Sequence, residues 1–251
     1  MNQNSKTTLT TWDKICTSRA KEIENGADET YNRIIVPYVL NVLNAYCNKE
    51  DSVIDIGSFC GFLTSKISDN YDVVGIDISR TAVEYAKGRY PHINFINDDI
   101  CTTNLNEKYN FAIANLVVNN LPDLNGFLLK INELLYEDGK LLIIIPHPCY
   151  WAKEKIEDTS YLYETNKGYN YKFKTHNNFS YNNMITYYHR PLEMYINTFI
   201  QSGFSLLRFD EIYENWKEKN LCEIPHLLGM LIEPTRNSSE ILNYPIGWNK
   251  I

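Results

Sequence analysis

Val53-Ile54-Asp55-Ile56-Gly57-Ser58-Phe59-Cys60-Gly61 decides the fold, read together with Val73-Val74-Gly75-Ile76-Asp77-Ile78 one helix further on. An apolar run that breaks into a glycine turn, then a helix, then a second apolar run ending in a carboxylate is how a βαβ unit holds an adenosine-containing cofactor. Gly57 lets the backbone turn sharply at the strand end, and Gly61 lets the next helix start tight against the sheet. Asp77, twenty residues after Gly57, falls at the tip of the neighbouring strand, where a carboxylate accepts hydrogen bonds from ribose hydroxyls.

Working outward, three details separate the two adenosine cofactors that fit so far, NAD and S-adenosylmethionine. The glycines are spaced Gly-x-x-x-Gly, and Phe59 stands where the middle glycine of a dinucleotide turn makes room for a pyrophosphate. Asp55 places an acid beside the turn, which repels phosphate and suits a sulfonium and an ammonium group. Ile93-Asn94-Phe95-Ile96-Asn97-Asp98-Asp99-Ile100 then reads as a third strand tip. Asp98 and Asp99 there are candidates for an adenine amino group, with Ile100 against the ring.

In these features the chain resembles the class I S-adenosylmethionine-dependent methyltransferases of the small-molecule type, over about residues 50 to 146. The family's first motif maps onto Asp55, Gly57 and Gly61, with Ser58 in the same turn; its ribose acid maps onto Asp77, followed by Ile78; its adenine acid maps onto Asp99. Phe111 to Val117 matches the fourth-strand motif, in which the backbone carbonyl at Asn115 faces the methionyl amino group. Phe59 is the departure from the family pattern. The resemblance implies S-adenosylmethionine as methyl donor, S-adenosylhomocysteine as product, and a small metabolite or natural product methylated on oxygen or nitrogen.

The expected fold is α/β, a doubly wound, seven-stranded, mostly parallel sheet with helices on both faces, in one methyltransferase domain spanning residues 1–251. Strands are expected at about 53–56, 73–77, 93–96, 111–115 and 141–146, with helices near 61–69, 79–89 and 123–136, the last closed by Asp138-Gly139. Residues 203–209 and 227–232 read as further strands, after a helix over 191–202, and the resemblance implies that they pair antiparallel at the edge. An amino-terminal helical lid covers 1–48, with a polar, mobile end at 1–10 and Pro37 marking a kink or restart. The cofactor-binding core covers 49–147, an inserted cap 148–190, and the carboxyl-terminal part of the sheet 191–251.

The cap segment is too long for an ordinary connection. Between residues 148 and 188 it holds eleven aromatics, too many for a disordered loop. The alternation in Tyr169-Asn170-Tyr171-Lys172-Phe173-Lys174 predicts a short hairpin.

Composition narrows the partners. With 24 Lys and Arg against 31 Asp and Glu, the 251-residue chain carries a formal charge of −7 and no basic run, so a nucleic acid finds no landing surface. No apolar run is long enough for a membrane span. Six scattered cysteines, with no Cys-x-x-Cys pair, read as reduced thiols in a cytoplasmic protein. The expected partner is therefore a small methyl acceptor, with the protein a monomer or homodimer.

Candidate chemistry lies at the strand ends. His147, leaving the fifth strand between Pro146 and Pro148, is a candidate base or orienting group, as is His189 where the cap returns. Arg190 beside it is placed to pair with an anionic acceptor. Asn119, Tyr150, Trp151 and Tyr188 complete the expected acceptor site, with Asn120 on the same loop as Asn119. In the first helices Trp12, Arg19 and Tyr31 resemble lid residues, with Arg19 meeting the cofactor carboxylate. The bland readings are packing for Trp12, turn geometry for His147 and helix capping for the asparagines. The five histidines show no metal-ligand spacing, and no metal is expected. Rival functions are an NAD-linked oxidoreductase, a cofactor-binding protein without catalysis, and a nucleic-acid methylase.

Overall fold

A computed structural model describes residues 3–149, 167–174, 180–213 and 225–235. Its strands are β1 (Ser52–Ile56), β2 (Asp72–Asp77), β3 (Asn94–Asn97), β4 (Tyr109–Asn115), β5 (Leu135–Pro146), β6 (Lys167–Lys174), β7 (Ser180–His189), β8 (Phe204–Ile212) and β9 (Leu227–Pro234). Seven of them form one sheet in the order β3-β2-β1-β4-β5-β9-β8. The neighbours from β3 to β5 are parallel, and β9 pairs antiparallel with both β5 and β8. The strand order reverses between β1 and β4, so their carboxyl ends open the crevice where ligands bind in such sheets.

Helices cover both faces because the strands are apolar on both. Along β5, Leu141, Ile143 and Ile145 join a core with α5 (Leu124–Leu134) and α6 (Leu192–Gln201), while Leu142 and Ile144 face the core of α2 (Val36–Tyr46) and α3 (Phe62–Ile67). A period of two with both faces apolar is what a doubly covered strand requires. On the second face, a Cβ at Gly229 of β9 would lie 2.2 Å from the Tyr38 hydroxyl. Only glycine admits Tyr38 there, and its hydroxyl donates to Asp210 of β8 at 2.7 Å.

Several boundaries differ from the sequence reading. α1 (Gln3–Glu24) starts inside the polar stretch expected to be mobile, since a helix nucleated by its apolar part propagates at little cost. Pro37 marks the change from a π-helical turn, Thr30–Ile35, to α2, where its missing N–H is tolerated near a helix start. α5 ends at Leu134, not at Asp138-Gly139. Leu135 already pairs with Tyr109, and a register shift follows before Phe111 pairs with Lys140, so sheet pairing overrides the helical pattern. The expected hairpin is present as β6 and β7, paired antiparallel from Lys167 with His189 to Lys174 with Ser180. β7 packs on α1 and on the 3-10 turn Val118–Asn120, which brings the return of the hairpin over the ends of the central strands.

Candidate functional site

The turn after β1 is built by β2. The N–H groups of Gly57 and Ser58 both donate to the Ile76 carbonyl, at 2.8 and 3.1 Å, and the Gly61 N–H donates to the Ser58 carbonyl at 2.9 Å. Gly57 has φ 68 and Gly61 φ 78. A Cβ at Gly57 would lie 2.4 Å from Val117 Cγ2, so the turns after β1 and β4 touch across the crevice and leave no room for a side chain. Phe59 has φ 49, the left-handed region that glycine adopts freely. The departure from the family pattern is therefore one of residue and not of backbone conformation. Its ring meets Trp12 of α1 edge-on at 5.6 Å.

The strand tips carry the expected acids. Asp77 accepts from the Phe59 N–H at 2.8 Å and the Ser79 N–H at 2.7 Å. Burial of its carboxyl pushes its pKa up to about 6 against those two hydrogen bonds. The tip of β3 is stitched to it, because Asn97 Nδ2 donates to the Asp77 and Ile78 carbonyls, each at 3.0 Å. Asp98 accepts from the Asp99 N–H and from Thr103 Oγ1, at 2.9 and 2.6 Å, while Asp99 accepts from the Cys101 N–H at 3.0 Å. Ile100 is buried and Ile78 partly exposed. Asp55 is 1% exposed. Burial raises its pKa to about 7, opposed by a hydrogen bond from Thr64 Oγ1 at 2.6 Å.

α1 is tied to two of these tips. Besides the contact of Trp12 with Phe59, Ser79 Oγ donates to Asp13 Oδ1 at 2.5 Å while accepting from the Ala82 N–H that it caps, in the first turn of α4 (Arg80–Arg89). Arg19 differs from expectation. Its guanidinium pairs with Glu22 at 2.7 Å and with Asp28, and Asp28 in turn accepts from the Tyr31 N–H at 2.8 Å. The charge closes the bend between α1 and the π-helical turn. The Tyr31 phenol is held well above its usual pKa, first by burial and then by the Asp55 carboxylate.

Across the crevice, the β4 turn passes through Leu116 at φ 57, and the Leu116 N–H donates to the Ile144 carbonyl at 2.8 Å. Arg190 corrects the sequence reading. It is 0% exposed, and its guanidinium donates to the Val118 and Leu121 carbonyls at 3.0 and 2.5 Å, so these donors serve the loop rather than an anionic acceptor. Its charge lies 5.8 Å from the Tyr188 ring centre and counters the upward effect of burial on the Tyr195 hydroxyl. His189 is buried beside it, its ring 6.4 Å from that of Tyr187. His147 is also buried. Its Nδ1 accepts from the Cys149 N–H at 3.2 Å and its Nε2 lies 3.3 Å from Glu211 Oε1 of β8. Burial lowers its pKa and the Glu211 carboxylate opposes that. An Nδ1 that accepts carries no proton, so the neutral ring presents Nε2–H to the carboxylate. Tyr150 and Trp151 lie outside the described residues.

Sequence reading missed Thr64 beside Asp55, Glu211 beside His147, and the pair of Ser79 and Asp13 behind Asp77. Of these four only Ser79 left a signal, as a helix-capping residue two positions after Asp77. Among the described residues no group of three acidic, His or Cys side chains is arranged to hold a metal, and no helix is long and apolar enough to cross a membrane.

Among the described residues, the buried oxygens of Ser58 (Oγ), Asn115, Asn119 and Asn120 (Oδ1) lack a hydrogen-bond partner; Arg190 Nε and the Tyr195 hydroxyl also lack one of good geometry, though the Arg190 charge acts on that hydroxyl. The Ser58, Asn115, Asn119 and Asn120 oxygens lie on the turns that follow β1 and β4 or at the β4 end. An acid-rich crevice with unfilled acceptors fits a ligand bearing hydroxyl and ammonium donors, and not a pyrophosphate.

A methyltransferase-domain family model matches residues 47–197, more than half of the chain, and the chain belongs to that family. A malonyl-[acyl-carrier protein] O-methyltransferase of Acetivibrio thermocellus is 30% identical over 108 residues, 41% of this chain and 38% of that protein. The aligned part of the chain spans less than half the length of the curated relatives it matches. Among solved structures, an S-adenosylmethionine-dependent methyltransferase of Clostridium acetobutylicum superposes with a TM-score of 0.66 at 14% identity, over 88% of this chain and 99% of that one. The 1,6-didemethyltoxoflavin-N1-methyltransferase of Burkholderia thailandensis, bound to 1,6-didemethyltoxoflavin and S-adenosylhomocysteine, does so with a TM-score of 0.57 at 15% identity, over 88% and 87%. These last two likenesses are of fold.

Proposed function

We propose that the protein is an S-adenosylmethionine-dependent methyltransferase acting on an oxygen or nitrogen of a small molecule. The observation that carries this reading is the ring of acids and unfilled oxygens around a glycine turn too tight for any side chain. Asp77 holds the ribose hydroxyls, Asp99 the adenine amino group with Ile78 and Ile100 beside the ring, and Asp55 with the Asn115 carbonyl favours the methionyl ammonium. When bound, the cofactor supplies an electrophilic methyl: a bond forms from the acceptor atom to the methyl carbon as the carbon–sulfur bond breaks, and S-adenosylhomocysteine leaves.

The chain's own part is to orient and to exclude water. α1 closes one side through Trp12 and Asp13, and β7 closes the other by packing on α1 and on the turn Val118–Asn120. His189 is the candidate for moving an acceptor proton, while His147, neutral and with both ring nitrogens engaged by Cys149 and Glu211, is left the orienting role. The small-molecule acceptor is supported by the absence of a basic run and by the fold shared with the N1-methyltransferase above.

Isothermal titration with S-adenosylhomocysteine tests the cofactor, with saturable binding expected and none overturning the reading. Transfer of labelled methyl from S-adenosylmethionine to a metabolite library tests the activity. Cofactor retention with no labelled product would leave a binding protein instead.

A further inference from the structure

Arg190 is fully buried and forks onto two backbone carbonyls, those of Val118 and Leu121. The two residues between them are Asn119 and Asn120. Asn119 is 3% exposed and its Oδ1 has no partner. Asn120 Oδ1 has none either, while its Nδ2 donates to the Leu116 carbonyl at 2.9 Å, which fixes which end of that amide is the oxygen. Asn115, at the end of β4 just before this turn, presents a third such oxygen. Native proteins leave few buried acceptors unpaired, because each forfeits the hydrogen bond that it made with water. Three such amides within six residues, beside the crevice and under the return of the hairpin, mark a place with polar groups to spare for a ligand, and at Asn120 the fixed amide makes the spare group an acceptor for a ligand's donor.

We propose that the Asn119-Asn120 turn binds the methyl acceptor by taking N–H or O–H groups on its carboxamide oxygens, so that the acceptor is a neutral or cationic donor-bearing compound such as an amide or amine, and not a carboxylate or phosphate. This rests on the methyl-transfer reading of the site. Arg190 is the positioning residue. Its guanidinium holds the carbonyls on either side of the pair and so sets the direction of both carboxamides. The arginine that looks from sequence like an anion partner gives two of its nitrogens to the loop and turns its charge on the buried Tyr195 hydroxyl, which leaves the carboxamide oxygens to meet the acceptor.

Ligand-observed NMR on the S-adenosylhomocysteine-loaded protein tests this with matched ring compounds, benzamide against benzoate and nicotinamide against nicotinate. The amides should bind about tenfold more tightly than the acids, the size of effect expected when a buried acceptor meets a donor rather than a second acceptor. Asn119→Ala should abolish that preference while leaving S-adenosylhomocysteine affinity unchanged. Arg190→Lys, which keeps the charge but loses the two-pronged reach, should weaken amide binding without creating carboxylate binding. Asn120→Ala serves if Asn119→Ala does not fold. Equal binding of acid and amide, tighter binding of the acids, binding of neither, or a preference unmoved by the asparagine variants overturns the proposal. Failure of the protein to bind S-adenosylhomocysteine overturns the methyl-transfer reading instead, and the fragment comparison can still be made on the unloaded protein.

Discussion

The Phe59 backbone N–H donates to the Asp77 carboxylate at 2.8 Å. The turn after β1 is thereby held by the acid at the end of β2, in a left-handed conformation that a phenylalanine adopts only under constraint. One carboxylate both shapes the glycine turn and faces the crevice.

Asp77→Ala should weaken S-adenosylhomocysteine binding by about 1–3 kcal/mol, some ten- to a hundredfold, since it removes ribose hydrogen bonds and frees the Phe59 amide. Calorimetry reads this directly. An unchanged affinity would move the ribose elsewhere.

Gly57→Ala should destabilise the fold by about 2 kcal/mol or more, because it combines a left-handed φ with overlap onto Val117 Cγ2. Adding Val117→Ala should return the steric part and leave the backbone part. Denaturant midpoints of the two single variants and the double variant separate these contributions.

Asp55 makes stability depend on pH with a definite sign. Its pKa is raised to about 7 in the folded chain, against about 3.9 for an unfolded aspartate. The folded state therefore holds a proton that the unfolded state has lost. Its contribution is fully present below pH 4 and is lost as pH rises through 7. Asp55→Asn should flatten that fall, and the variant should be the more stable chain at pH 8. A bound ammonium favours the carboxylate, so S-adenosylhomocysteine binding near pH 6 should release protons. Titrations in two buffers of different ionisation enthalpy count them.

The tether between α1 and α4 can be cut without changing any residue at the strand tips. Asp13→Ala removes the bond to Ser79 but leaves Ser79 capping α4, and should cost about 1 kcal/mol. Ser79→Ala loses tether and cap together, about 1–2 kcal/mol. Hydrogen exchange should rise in α1 for both variants and at the start of α4 only for Ser79→Ala.

Replacing residues 152–186 with a short Gly/Ser linker keeps the buried Tyr187 to Arg190 segment. The core should fold and bind S-adenosylhomocysteine, while methyl transfer to the natural acceptor falls by orders of magnitude as orientation is lost. Undiminished transfer would place the acceptor against the amino-terminal helices.

The sequence by itself determined the sheet and the placing of the candidate cofactor residues at its strand ends. Val53 to Gly61, Val73 to Ile78 and Ile93 to Ile100 are local patterns, in which apolar period, glycine turn and terminal carboxylate lie within one βαβ step of each other. Such patterns depend on backbone sterics and short chain separations, so Gly57, Asp77 and Asp99 fall at the strand tips expected of them. The partners of those residues depend on packing between distant elements. Nothing near Asp55 announces Thr64, nothing in α1 announces that Asp13 meets Ser79, and Arg19 is drawn to Glu22 and Asp28 by a bend visible only in three dimensions. Arg190 shows the difference most clearly. Its charge and its place before Pro191 suggest an anion partner, but desolvation makes the nearest unpaired carbonyls its strongest competitors. Only the packing of β7 on the turn after β4 decided that Val118 and Leu121 supply them.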